Sequence, residues 1–202
     1  MTVETERLRI RLNFSFAATV TLMLCFCEER VVLAALLSSF LHESGHIFFL
    51  TVFGCTPVSV TLSAFGMCID RPNHSALSLK KEIAVSLGGI LFNLSAALVF
   101  SVLRCIHPTE IFDFALAVNL TVALINSVPN ISLDLGRAIY CFMLVYSNEE
   151  RAEGLMSILS AVFALLTVIF FILYTVFEKL NISLAVVTLY IVILTFKREV
   201  DK

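Results

Sequence analysis

Apolar runs long enough to cross a lipid bilayer recur along this chain, and no other feature restricts its fold so severely. A helix that spans the roughly 30 Å hydrocarbon layer needs about 20 mostly apolar residues, at about 1.5 Å of rise each. Six stretches qualify: 11–27, 31–53, 82–104, 111–128 continuing into 133–146, 155–177 and 182–196. Hydrophobic residues make up 59% of the 202, well above the roughly 45–50% of a soluble domain. The expected fold class is an all-α polytopic membrane protein of about six transmembrane helices, forming one membrane-embedded domain over 1–202. The segment 11–27 follows arginines as a signal peptide would. It lacks an A-x-A-like cleavage site and runs into Glu28-Glu29-Arg30, so it reads as a retained span.

Charge sets the expected orientation, because cytoplasmic flanks are enriched in Lys and Arg. With both termini inside, the cytoplasmic segments carry Arg7, Arg9, Arg11, Arg71, Lys80, Lys81, Arg151, Lys197, Arg198 and Lys202. The outer segments carry only Arg30, Arg104 and Lys179, and Arg137 falls inside a membrane segment. The connection 54–81 is then cytoplasmic. Within it Val58, Val60 and Leu62 alternate with Ser59, Thr61 and Ser63, the period-2 pattern of a half-buried strand, and Gly66 marks a turn. A short β-hairpin or strand at the cytoplasmic membrane surface is expected here; an amphipathic loop on the headgroups is the alternative. A net charge of −2 without a basic tract gives no footprint for nucleic acid. The six cysteines show neither CxxC pairing nor a disulfide framework.

Against this apolar background "SFLHESGHIFFL" is anomalous. Ionisable groups inside a span cost about 2.5–3.5 kcal/mol for Asp, Lys or Arg, so buried ones need a purpose. His42 and His46 are four residues apart and share one helix face. Two imidazoles so placed can bind one zinc ion, with Glu43 beside them as general base toward a water, which is the logic of the HExxH motif. The alternative is a pair of histidines satisfied by backbone groups or by Glu43.

A catalytic zinc usually has three protein ligands. Asp134 in "NSVPNISLDLGR" is the best third candidate, because Pro129 and Asn130 would interrupt the helix that begins near Ile111. A broken helix at membrane depth is tolerated where it lines a cavity or is buried in protein. Arg137, three residues on, offers Asp134 a competing ion-pair partner. In "SLGGILFN", Gly88 and Gly89 permit close helix approach. Asn93 after them could hold a substrate backbone or an oxyanion, or simply bond across helices.

With HESGH on one helix, Gly89 and Asn93 on the next and N-x-x-P-x-x-x-L-D-x-G on a third, the chain resembles the site-2 proteases, zinc-dependent intramembrane metalloproteases. It looks most like their sporulation-type six-span branch, which releases a transcription factor from a membrane-tethered precursor. The resemblance covers about 31–146, the catalytic core, leaving 11–27, 155–177 and 182–196 as peripheral spans. It implies one zinc per chain on His42, His46 and Asp134, with Glu43 catalytic and Asn126 handling substrate. "AFGMCID" resembles the hairpin that follows the HExxH helix in that family. Three positions depart from its pattern: Ile90 replaces a common proline, Ser132 replaces another, and Leu135 replaces the first glycine of the usual L-D-G-G. All metal and base positions are intact.

The expected activity is hydrolysis of peptide bonds in membrane-spanning or membrane-tethered proteins, the lipid bilayer being the second partner and an inhibitory membrane protein a third. The unwound substrate would add as a strand beside Val58 and Val60, held by Asn93 or Asn126. Only Lys197–Lys202 follow the last predicted span, so no CBS or PDZ domain is expected, which suits a multi-pass protein of a bacterial cell membrane. A non-catalytic metal-binding scaffold, or pseudoprotease, and a small transporter are the competing classes. Neither requires a base next to the first histidine.

Overall fold

The computed structural model describes residues 2–5, 8–26, 28–55, 59–63, 66–70, 77–178 and 181–200. The chain folds into two compact units, Met1–Ile125 and Asn126–Lys202.

The first unit joins a four-stranded sheet to four helices: β1 (Thr2–Thr5), β2 (Leu8–Leu12), α1 (Phe14–Phe26), α2 (Glu29–Val52), β3 (Ser59–Ser63), β4 (Gly66–Asp70), α3 (Leu79–Ile106) and α4 (Glu110–Asn126). β3 and β4 form an antiparallel hairpin with Ser63 opposite Gly66, so a strand does stand where the alternation in 58–62 predicts one. The sheet is larger than expected. Its order is β1-β2-β3-β4, and β2 runs parallel to β3 with Ile10 opposite Val60. The expected span 11–27 is correspondingly cut back. Leu8, Ile10 and Leu12 alternate with Arg9 and Arg11, a period-2 signal, and these residues join the sheet. What remains is α1, 13 residues long, or about 20 Å of helix.

α2 begins after Glu28, whose backbone is extended, with Glu29 in the first turn where the helix dipole favours an acid. It ends in a Schellman turn. Gly54 takes φ 76, its N–H donates to the Thr51 carbonyl, and the Cys55 N–H reaches back to the Leu50 carbonyl at 2.9 Å. Leu50 and Cys55 then pack with Val85 of α3 in a small apolar core flanked by Phe49, Phe53 and Leu77. Further along, α2 and α3 approach backbone to backbone. A β-carbon on Gly45 would overlap the Gly88 carbonyl, and one on Gly88 would lie 2.7 Å from both the Gly45 oxygen and Phe49 Cδ2. This is the small-residue packing that membrane helices use. Phe100 and Phe112 pack across the α3–α4 turn, which Arg104 and Asp113 close with an ion pair.

The second unit holds α5 (Asp134–Tyr146), α6 (Glu149–Phe177) and α7 (Ile182–Val200), preceded by the loop 127–133. The interruption expected at Pro129 and Asn130 is present. Asn148 caps α6 by accepting from the Arg151 N–H, and Asn181 caps α7 by accepting from the Leu184 N–H. Ala152, Met156, Ser160 and Ala164, spaced four apart, form the buried stripe of α6.

Three helices, α2, α3 and α6, are long and apolar enough to cross a membrane, and shorter apolar helices lie at Phe16–Phe26 and Leu184–Phe196. Large side chains such as Leu37, Phe40, Leu98, Leu165 and Phe170 are at least 60% exposed. A surface this apolar is one that lipid covers. The chain is a membrane protein.

Candidate metal centre

One turn of α2 brings the two histidine rings together, edge to face, with centroids 4.9 Å apart. His42 is 5% exposed. Its Nδ1 lies 2.6 Å from the Asn93 side-chain oxygen, and His46 Nδ1 lies 2.8 Å from the Val85 carbonyl oxygen. Both partners can only accept, so Nδ1 of each ring donates, and in the neutral ring that leaves a lone pair on Nε2. The two Nε2 atoms stand 3.2 Å apart. Two nitrogens about 2.0–2.1 Å from one ion at a tetrahedral angle would be separated by roughly 3.3 Å. The rings are set as a chelating pair.

Gly89 of α3 keeps the space in front of them open. A β-carbon there would lie 2.5 Å from His42 Nε2 and 2.6 Å from His46 Nε2. The cradle is thus one that any side chain at position 89 would fill, and its donors are neutral imidazole nitrogens, ligands that suit zinc. Glu43 follows His42 directly in α2 and is partly buried.

Asn93 is fully buried. Its amide nitrogen donates toward the Ser38 carbonyl (3.2 Å), Ser38 Oγ (3.0 Å) and Asn119 Oδ1 (2.9 Å). Ser38 Oγ donates to the same Asn119 oxygen at 3.1 Å, and Asn119 Nδ2 donates to the Ala115 carbonyl at 2.8 Å. The sequence suggests Asn93 either as a group that holds substrate or as one that bonds across helices; in the structure both ends of its amide are hydrogen-bonded inside the helix bundle. Asn119 bonds across helices, as a polar side chain in an apolar span is expected to, whereas Ser38 belongs to no motif.

Asp134 is the first residue of α5 and is partly buried. The loop before it is tied down within its own unit. The Leu133 N–H donates to the Asn130 carbonyl, the Ser132 N–H to Asn130 Oδ1, Asn130 Nδ2 to Thr195 Oγ1, and Ser160 Oγ to the Pro129 carbonyl. A β-carbon on Gly136 would overlap the Asn130 backbone. Gly136 is therefore a position at which sterics require glycine, while Leu135 before it is partly buried. Asn126 ends α4, partly buried, and Ser132 is exposed.

Within the first unit, His42 and His46 offer two imidazole nitrogens that could hold a metal ion. No family model and no curated protein matches the chain. A solved structure does: a site-2 protease from Methanocaldococcus jannaschii is similar with a TM-score of 0.68 at 16% identity, over 98% of this chain and 94% of that one. The likeness is one of fold. The strand expected to receive substrate has a defined place in the sheet. β3, which contains Val60, is an inner strand with β2 on one side and β4 on the other. Strand addition requires an open edge, and the parallel pairing of β2 occupies the one that Val60 was to offer. Val58 lies outside the described residues.

Proposed function

We propose that this chain is an intramembrane zinc metalloprotease that hydrolyses peptide bonds in membrane-spanning or membrane-tethered proteins. The observation that carries the proposal is the histidine pair: two Nε2 lone pairs 3.2 Å apart, with Glu43 next in sequence to the first ring. His42, His46 and Asp134 would hold the ion, one per chain. Bound there, zinc supplies a Lewis acid and lowers the pKa of a water toward about 7. Glu43 takes the proton from the attacking water and returns it to the leaving amine. Asn126 holds the substrate backbone. The substrate must unwind locally, because the carbonyls of an intact helix are engaged in its own hydrogen bonds. Release of a tethered transcription factor is the physiological form we favour, in a multi-pass protein of a bacterial cell membrane with both termini cytoplasmic.

The test is zinc content together with cleavage of a membrane-tethered substrate panel by wild type, E43Q and D134A. The expected result is near-stoichiometric zinc in wild type and E43Q, weaker zinc in D134A, and cleavage by wild type alone. Cleavage by E43Q at the wild-type rate would refute the assigned base, and zinc without cleavage across the panel would favour a scaffold.

A further inference from the structure

Three side chains from three helices meet in a place where the apolar surroundings leave no water to satisfy them. Ser38 on α2, Asn93 on α3 and Asn119 on α4 are 2%, 0% and 5% exposed. Buried polar groups are retained only when bonded, and here the bonding has a direction. Asn119 aims its amide nitrogen at the Ala115 carbonyl, which turns its oxygen toward Ser38 and Asn93. That oxygen, with the Ser38 hydroxyl and carbonyl, surrounds the nitrogen end of Asn93. An amide whose nitrogen faces three acceptors must point its oxygen the other way, and the other way is His42 Nδ1 at 2.6 Å.

We infer that Asn93 is a positioning residue for the metal ligand His42, and that Ser38 and Asn119 act through it by fixing which end of the amide meets the ring. Turned over, the amide would present N–H to Nδ1, favour the opposite tautomer and put a proton on Nε2, where a ligand needs a lone pair. His46 gets the same service from the Val85 backbone carbonyl, which cannot turn over. Outer partners of this kind typically change metal affinity about 10–100-fold when removed. The inference rests on the metal reading given under Proposed function, and it assigns Asn93 a role distinct from contact with substrate.

Metal-free protein in detergent micelles is titrated with Zn²⁺ against a chelator of known affinity, and thermal unfolding is measured on the same samples. Wild type should bind about one zinc, and N93A should bind it about 10–100-fold more weakly. N93D separates positioning from packing. Its carboxylate still accepts from His42 Nδ1 but faces the Ser38 and Asn119 oxygens without a donor. Zinc affinity should therefore recover toward wild type while the melting temperature stays at or below that of N93A. A merely structural residue would move both readouts together. Should N93A fail to fold, S38A and N119A each remove one acceptor and should weaken zinc about 10-fold or less. No zinc in wild type would overturn the metal reading itself. Zinc bound by wild type, and as tightly by the folded variants of this set, would overturn the inference alone.

Discussion

Gly89 of α3 faces the Nε2 edge of His42 so closely that a β-carbon would lie 2.5 Å from Nε2. The neighbour is a ring held by Asn93, not the loose end of a flexible chain. G89A should therefore cost zinc before it costs the fold. We expect at least a 10-fold loss of affinity, the scale of a disturbed ligand environment, with little change in helix content by circular dichroism. Full zinc binding by G89A would mean that the rings have more room than their hydrogen bonds suggest.

Gly45 and Gly88 make a different prediction, because each one's hypothetical β-carbon meets backbone. Backbone cannot step aside, so G45A and G88A must push α2 and α3 apart. Overpacking of this kind costs about 1–3 kcal/mol. The loss should be read in thermal unfolding and should be larger for G45A than for A97G, a change at a buried α3 position away from this crossing.

At the start of α5, positions 135 and 136 are limited by different things. G136A drives a methyl into the Asn130 backbone and should destabilise by about 1–3 kcal/mol. L135G should cost only the helix propensity of glycine and the packing of a partly buried side chain, about 1–2 kcal/mol. A comparison of their melting temperatures, with zinc content alongside, distinguishes the steric position from the tolerant one. A loss in G136A well below about 1 kcal/mol would mean the Asn130 loop yields more easily than its hydrogen bonds imply.

The four-stranded sheet predicts a pattern of hydrogen exchange. Amides of the inner strands exchange more slowly than those of the outer ones where the ladder is intact. Ser59–Ser63, flanked on both sides, should be the most protected segment of the sheet, and Thr2–Thr5 the least. Removing residues 1–12 should accelerate exchange in Ser59–Ser63. If exchange there is unchanged by the truncation, the parallel pairing with Leu8–Leu12 does not persist in solution.

What the sequence disclosed, and what it hid, follows from the range of the interactions. The i, i+4 spacing of His42 and His46 is local, so the helix face they share could be read directly. The break at Pro129 is local as well, since proline removes a helical donor. The strand over Ser59–Ser63 showed in its alternation, and so did Leu8–Leu12, but there two arginines beside a long apolar run made a helix seem the simpler continuation. The role of Asn93 was hidden for another reason. Its partners lie 51 residues away at His42, 55 at Ser38 and 26 at Asn119, and only the packed helices bring them together. The same holds for the edge of β3, which was taken by a strand some 50 residues earlier in the chain.

The carbonyl acceptors beneath the two histidines bear on the order in which this protein is completed. Asn93 and Val85 set the rings through Nδ1, on the side away from the ligating edge. Their orientation is a product of helix packing, achieved when the helices dock in the bilayer. The ring orientation thus needs no ion to establish it, and the metal-free protein should already hold both rings with their Nε2 atoms side by side.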